Sequence, residues 1–369
     1  SKQIATESPT DLEALYALGD SLSEVYYIVF RHRNSHPDLL ANYTLVNQAD
    51  GCVRACLTAL QACLERRADV TRVMNGPLTG EDEKEEYNGL LAQEDNLLTP
   101  LVDSVGYNLK FFREAFVPLF EQTVVPTLGK SLTDTTDTRA TISAVLLFDD
   151  CVEHCGPDAA AKYAPLLLQG VGVAFSTDDK DLVQGAVYGV AQIARKAPNA
   201  ISMDQCLPIV QKLLQLTSQT KDDDHAYLIE MAASALASLT LFGPFADLKC
   251  VSRDVLVTSF LSQLPIQQDD DEAKICHAQF CILVESGAVD LNASNAGHIT
   301  RICGTILAEV EEGEDVATPD TSERLATILY QLQQSGQLSL SSLGADRQGI
   351  VSRVVEDVAR SRMRMVTPQ

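Results

Sequence analysis

The sequence predicts an all-α protein built from repeated pairs of helices, and three observations support this prediction. Apolar residues recur at helical spacing along most of the 369-residue chain, and segments with the pattern of β-strands are scarce. Short runs of aspartate recur at nearly constant intervals, each just before an apolar helical stretch. The apolar fraction of 46% is high enough to form a large core, which argues against disorder.

The aspartate runs set the length of the repeat. They begin at residues 134, 178, 222 and 269, which gives steps of 44, 44 and 47 residues, and a further one lies at Asp315 and Asp320. A period near 45 residues that contains two helices is typical of HEAT repeats, whose helix pairs stack to bury their apolar faces. We therefore predict a HEAT-repeat α-solenoid, an armadillo-like superhelix, of about seven helix pairs.

The first part of the chain is less regular than the rest. Residues 1–78 contain two helical patterns, at 9–30 and 50–74, which we interpret as the first pair. Residues 79–132 combine an acidic insertion, Gly80–Asn96, with a second pair of helices, expected at 98–116 and 117–132.

Residues 133–369 are predicted to form five regular HEAT repeats. In the stretch after the first Asp triplet, Leu228, Ala232, Ala235 and Leu239 share one helical face. The predicted helices of this region cover 137–155, 158–175, 178–197, 203–216, 222–239, 253–264, 269–287, 296–310, 321–336 and 345–361. With the preceding pairs, they make residues 1–369 a single HEAT-repeat segment.

The aspartates at the helix starts have two interpretations. A first-turn Asp accepts hydrogen bonds from free backbone N–H groups and stabilises its helix by about 1 kcal/mol, so capping and solubility explain any one of them. The triplets hold more carboxylates than capping requires, and their recurrence predicts an acidic rim that binds a basic partner. The residues of this predicted rim are Asp222, Asp223, Asp269, Asp270, Glu311 and Glu312.

Charge and composition narrow the classes of partner. The chain has 28 Lys and Arg against 51 Asp and Glu, a net charge of −23, which repels nucleic acid and anionic membranes and attracts basic proteins. No apolar run reaches the roughly 18 residues of a membrane span.

The ten cysteines include Cys52, Cys56, Cys63, Cys151 and Cys155 at helical-face spacing, which favours reduced, buried thiols.

Sequence motifs for cofactors and catalysis are incomplete. Gly129-Lys130-Ser131 resembles the end of a phosphate loop, but Val124 stands where that motif requires Gly. The stretch "GVGVAF" fails the dinucleotide pattern, because Phe175 replaces the last Gly and no strand precedes it. We therefore predict that the chain is not an enzyme and has no cofactor; an all-helical enzyme is the least favoured class.

Two histidine-containing groups are candidates for metal binding or titration. Cys151, His154 and Cys155 lie within one helical turn, but a structural zinc site requires a fourth ligand, so a packed helix face is the preferred interpretation and no metal is predicted. His225 and His277 lie just inside the two triplet helices, where surface histidines are the simplest expectation.

Several of these stretches resemble a known family. Phe148-Asp149-Asp150, Glu153-His154-Cys155 and Lys162-Tyr163-Ala164 resemble the C-terminal region of karyopherin-beta (importin-beta) nuclear transport receptors, in the importin beta-3 (importin-5-like) branch. The next repeat and the penultimate one carry the further matching residues Ala186, Tyr188, Gly189, Arg324, Leu325, Ala326 and Ser335-Gly336. The acidic insertion at 80–96 also falls where that branch has one.

This resemblance implies a function in nuclear import. A receptor of this family shuttles between cytoplasm and nucleus, carries cargo past Phe-Gly nucleoporins and is unloaded by Ran-GTP. Because the family's main Ran-binding repeats are N-terminal, the chain is expected to be a C-terminal segment without them. The charge of −23 favours basic cargo proteins. The alternative is a HEAT-repeat scaffold of another assembly, such as a phosphatase complex.

Overall fold

In the computed structural model, the described residues are 12–32, 44–77, 80–243 and 251–366. Within those ranges, every regular element is an α-helix or a short 3-10 helix, which confirms the predicted all-α class. None of these helices combines the length and the apolar character that crossing a membrane requires. The chain divides into two compact units, unit 1 (Ser1–Ile201) and unit 2 (Ser202–Gln369).

Unit 1 contains seven α-helices in its described residues. They are α1 (Leu12–His32), α2 (Thr44–Met74), α3 (Glu81–Phe112), α4 (Val117–Leu128), α5 (Thr138–His154), α6 (Gly156–Ala174) and α7 (Lys180–Lys196). Helix α3 packs against α1 and α2, α5 packs against α3 and α7, and α6 lies across α5 and α7. Helices α3, α5 and α7 therefore form one row, which is the arrangement expected of stacked helix pairs.

An aromatic cluster connects helices α4, α5 and α6 in unit 1. Phe120 from α4, Phe148 from α5 and Tyr163 from α6 are buried, and their ring centroids are 5.2 to 5.8 Å apart in edge-on contacts. Aromatic pairs prefer this geometry because the positive ring edge meets the negative ring face. Phe148 and Tyr163, which belong to the stretches that resemble karyopherin-beta receptors, are thus core residues.

The acidic stretch 80–96 forms the first half of α3. Glu81, Asp82 and Glu83 occupy the first turn, where carboxylates interact favourably with the helix dipole, and the Gly80 N–H donates to Glu83 Oε2 at 3.0 Å. Helix α3 then continues without a break through Pro100. The predicted insertion is therefore a helical extension.

Unit 2 also contains seven α-helices in its described residues. They are α8 (Met203–Thr217), α9 (Ala226–Phe242), α10 (Arg253–Gln263), α11 (Asp270–Glu285), α12 (Ala296–Glu312), α13 (Pro319–Gln334) and α14 (Ala345–Val366). Helices α9, α11 and α13 pack side by side in one row. The other helices lie in a second row, in which α8 contacts α10 and α12 contacts α14. The two rows share a core that includes Phe260, Phe280, Ile302 and Leu329.

The remaining sequence-based expectations fall into three groups. Leu228, Ala232, Ala235 and Leu239 are all buried, as predicted for one face of α9. Cys56, Cys63, Cys151 and Cys155 are buried free thiols, whereas the Cys52 side chain lies outside the described residues. The division into pairs at 1–78 and 79–132 and five repeats over 133–369 stays a prediction.

Candidate functional site

Asp222 and Asp223 lie in the turn that leads into α9. The Asp222 carboxylate accepts the His225 N–H at 3.0 Å and contacts His225 Nδ1 at 2.6 Å. The hydrogen bond from the His225 side chain lowers the pKa of Asp222. Asp223 is exposed. One carboxylate of this pair therefore shapes the turn, and the other faces solvent.

Asp269 and Asp270 occupy the start of α11. Asp269 is the N-cap: it accepts the Glu272 N–H at 2.9 Å, and the Tyr227 hydroxyl of α9 lies 3.5 Å from its Oδ2. Asp270 is exposed in the first turn. Asp269 thus has the capping role that its position predicts, while Asp270 leaves its carboxylate at the surface.

Glu311 and Glu312 end α12, where the negative end of the helix dipole disfavours carboxylates. Arg353 of α14 offsets this for Glu311, because its Nη2 bonds both carboxylate oxygens. Glu312 is exposed. One of the two predicted glutamates is therefore already paired within the protein.

Contacts between neighbouring elements connect some of the helix ends that carry these residues. Tyr227 links the start of α9 to the start of α11 through Asp269. Lys274 of α11 reaches Asp315, in the connection between α12 and α13, at 2.6 Å. We name the six predicted residues the acidic edge: Asp222, Asp223, Asp269, Asp270, Glu311 and Glu312.

Two features of this region were not expected from the sequence. Lys274 also pairs with Asp271 at 3.2 Å, so a cation neutralises part of the second triplet.

The second feature is Glu230, which is buried. Its Oε2 accepts the backbone N–H groups of Gln267 and Gln268 at 2.9 and 2.8 Å, and Lys221 pairs with its Oε1 at 2.6 Å. Glu230 therefore holds the segment before α11 in place. In the sequence, a glutamate inside an otherwise apolar helical stretch is the signal that could have identified it.

The expectation of a surface histidine is wrong for His277. This side chain is fully buried, accepts the Ile266 N–H on Nε2 at 3.2 Å and donates from Nδ1 to the Val316 carbonyl at 2.8 Å. Burial lowers its pKa to about 4, so the ring is neutral at pH 7. His225, in contrast, is partly exposed and bonds Asp222.

In unit 1, three polar side chains of α5, Asp150, Glu153 and His154, form a cluster. Asp150, Glu153 and His154 place ligand atoms within 4.8 Å of one another, so these three side chains are the group that could share a metal ion, rather than Cys151, His154 and Cys155. Lys110 of α3 already pairs with Asp150 at 3.1 Å, and the Tyr188 hydroxyl donates to Glu153 at 2.6 Å. The cluster is thus an ion-pair network that links α3, α5 and α7.

Asp149, next to this cluster, is a buried acid without a hydrogen-bond partner on either oxygen. Burial raises its pKa well above the usual value, and the charges of Asp150 and Glu153 raise it further. The absence of a side chain at Gly189 gives it room, because a Cβ there would lie 2.3 Å from Asp149 Oδ1. Burial without a hydrogen-bond partner therefore favours the neutral, protonated form of Asp149.

No family model matches the sequence. Among solved structures, the chain is similar to Kap121p bound to Nup53p, with a TM-score of 0.58 and 16% identity over 82% of this chain and 25% of that chain. For Kap121p bound to RanGTP the TM-score is 0.57, with 16% identity over 86% of this chain and 31% of that one. For the karyopherin Kap121p bound to the SUMO protease Ulp1p the TM-score is 0.55, with 18% identity over 83% and 26%.

The chain therefore spans about a quarter to a third of the length of the Kap121p chains that it matches. At this identity the likeness is one of fold. The HEAT-repeat α-solenoid that the 44-residue period predicts is thus the fold of the protein, and it is the fold found in karyopherins.

Proposed function

We propose that the chain is a segment of a nuclear transport receptor and that its acidic edge takes part in binding basic cargo proteins. The observation that carries this proposal is the karyopherin fold combined with a net charge of −23. The similar structures contain Kap121p with protein partners, among them Ulp1p, Nup53p and RanGTP. Binding of protein partners, without catalysis, is the activity that this combination supports best.

The chemistry of the acidic edge supports a basic partner. Asp223, Asp270 and Glu312 are exposed, so their carboxylates are accessible to lysine and arginine side chains. Each exposed ion pair contributes only about 0–1 kcal/mol, so affinity would arise from several pairs together. The field of a strongly acidic surface would also speed the encounter with a basic protein.

The finer assignment follows the resemblance in the sequence. We assign the chain to the importin beta-3 branch, with shuttling between cytoplasm and nucleus. Ran-GTP would bind repeats outside this segment. Phe-Gly nucleoporins would bind between neighbouring helices of one row, and the exposed apolar side chains of Leu146 on α5 and Ile282 on α11 support this.

Affinity capture tests the proposal directly. The immobilised chain is incubated with nuclear and cytosolic extract, and a second column carries a variant with Asp223, Asp270 and Glu312 all changed to Lys. We expect lysine-rich nuclear proteins to bind the first column and to be depleted from the second. Retention of one stable enzyme assembly on both columns, without basic nuclear proteins or nucleoporins, would instead indicate a HEAT scaffold such as a phosphatase subunit.

A further inference from the structure

Unit 2 contains a small basic pocket, although the chain as a whole is strongly acidic. A cavity of 260 Å³ lies between the segment before α11, helix α12 and the start of α14. We name it the arginine pocket and define it by Arg301, Thr305, Gly344 and Arg347, which lie in its lining. Two cations in one concave site are unexpected in a chain with 51 acidic and 28 basic residues.

The two arginines converge on the same space. Arg301 and Thr305 are one turn apart on the same face of α12, and Arg347 of α14 donates from Nη1 to Thr305 Oγ1 at 2.9 Å. Arg301 is held from the other side, because its Nη2 contacts His298 Nδ1 at 3.0 Å. His298 Nε2 in turn donates to the Leu261 carbonyl of α10 at 2.9 Å. Both guanidinium groups are thus positioned by the surrounding elements.

Neither arginine forms a close ion pair with a described residue of the protein. In the part of the chain that the structure describes, no carboxylate oxygen lies within 4.0 Å of either guanidinium. Two acidic groups are near: Glu309, whose Oε1 accepts a hydrogen bond from Gln267 at 2.6 Å, and Asp346, which is exposed in the first turn of α14. Burial raises the pKa of Glu309, whereas the hydrogen bond from Gln267 and the charge of Arg347 lower it, so Arg347 interacts with this carboxyl group without forming a close ion pair.

The backbone adds donors at the same place. The first hydrogen bond of α14 runs from the Gln348 N–H to the Gly344 carbonyl at 3.1 Å, so the N–H groups of residues 345–347 have no partner inside the helix. Gly344 leaves the approach open, since a Cβ there would meet no atom within 4 Å. The start of α14, with the positive end of its helix dipole, therefore lies beside the two guanidinium groups.

We propose that the arginine pocket binds the phosphate group of a phosphorylated Ser or Thr in a partner protein. A phosphate monoester carries up to two negative charges and three terminal oxygens, and two guanidinium groups plus backbone amides can satisfy all of these oxygens. A carboxylate has only two oxygens and would leave donors unused. A single phosphate on a peptide is compatible with the acidic surroundings, whereas an extended polyanion such as nucleic acid would be repelled by them.

Peptide binding to the whole chain tests this proposal, which does not rest on the proposed transport function. The probes are a fluorescent Gly/Ser hexapeptide with one phosphoserine, the same peptide without phosphate, and inorganic phosphate as competitor, all at constant ionic strength. We expect only the phosphopeptide to bind and inorganic phosphate to displace it. Arg301→Gln and Arg347→Gln should each weaken binding about tenfold, the usual effect of losing one charged hydrogen-bond donor.

The matched control is Arg253→Gln, which removes an exposed arginine from α10 of the same unit, outside the pocket. This variant should keep the affinity of the unchanged protein. Circular dichroism checks the fold of each variant, and Arg301, which is exposed, keeps the test decisive if Arg347→Gln unfolds.

Three results would overturn the proposal. The first is no difference between phosphorylated and unphosphorylated peptide at millimolar concentration. The second is an equal loss of affinity in Arg253→Gln, which would indicate a general charge effect. The third is tighter binding of a single-stranded oligonucleotide than of the phosphopeptide, which would identify a different class of partner.

Discussion

At the scale of single residues, the buried acid Asp149 predicts how stability depends on pH. Its raised pKa means that the folded state keeps a proton that the unfolded chain releases above pH of about 4. Stability linked to this group is therefore complete below that pH and is lost as pH rises towards the folded-state pKa. Asp149→Asn removes the ionisable group and keeps the size, so we expect its melting temperature relative to that of the unchanged protein to rise as pH increases above about 4.

Melting curves of both proteins at several pH values provide the measurement. The control is Gln334→Ala, which replaces an exposed side chain that does not titrate and should give a constant difference. A margin for Asp149→Asn that does not change with pH would show that Asp149 is ionised in the folded protein.

His277 predicts the opposite pH dependence of stability, with stability lost as pH falls. Its folded-state pKa of about 4 lies below the usual value of 6.5, so the unfolded chain binds the proton first as pH falls. The stability that depends on the neutral ring is complete above about pH 6.5 and is lost as pH falls towards 4. Between pH 7 and pH 5 we expect a loss of about 2 kcal/mol that His277→Gln lacks.

Urea unfolding at the two pH values measures this loss. Gln334→Ala is the control, because it replaces an exposed side chain that does not titrate and should leave the pH dependence unchanged. The same loss in His277→Gln as in the unchanged protein would contradict the account.

The buried state of His277 could not be read from the sequence. Its position about two turns inside a helix that begins with three aspartates indicates a surface residue. Its burial depends on Val316, 39 residues away, whose backbone carbonyl accepts the Nδ1 proton, and on Ile266, whose N–H bonds Nε2. Contacts between repeats decide such cases, and a pattern within one helix does not contain them.

At the scale of elements, Asp269 and Asp270 separate the two roles of the aspartate runs. Asp269 caps α11, so Asp269→Ala should destabilise the protein by about 1 kcal/mol. Asp270→Ala removes an exposed carboxylate of the same turn and should cost less than about 0.5 kcal/mol. Hydrogen exchange of the first turn of α11 provides the measurement, with faster exchange expected only for Asp269→Ala. Equal exchange in the two variants would mean that the cap contributes no more than the dipole interaction.

The elements of residues 133–369 could largely be predicted, because apolar spacing and acidic starts agree there. The predicted helix at 137–155, for example, corresponds to α5 at Thr138–His154, and Asp137 accepts the N–H groups of Arg139 and Ala140. The first half of α3 was harder to predict. Its charged residues lack an apolar stripe, so the pattern gave no sign that the helix continues from Glu81 to Phe112.

At the scale of the whole molecule, the repeat period predicted the fold, and the side-chain network could be predicted only in part. Bonds such as Lys274 to Asp315 and Arg353 to Glu311 join residues 41 and 42 positions apart, close to one repeat. The period therefore shows which residues can meet. It does not show which carboxylates are used: Glu311 and Glu312 are both exposed, and Arg353 bonds Glu311.

The central claim is that the acidic edge binds basic protein segments. Charge reversal of three of its exposed members, Asp223, Asp270 and Glu312, to Lys tests this claim without altering the Asp269 cap or the Glu311 pair. The matched control reverses the same number of exposed acids at the start of α3, through Asp82→Lys, Glu85→Lys and Glu86→Lys, and so changes the net charge equally.

The measurement is the affinity of the whole chain for a fluorescent lysine-rich peptide, at low salt and again at physiological salt. We expect the edge variant to bind about tenfold more weakly at low salt, with a smaller difference at higher salt because exposed ion pairs are screened. The control variant should lose less than about twofold. Equal weakening in both variants, or no weakening in either, would contradict the account and reduce the acidic edge to helix capping and solubility.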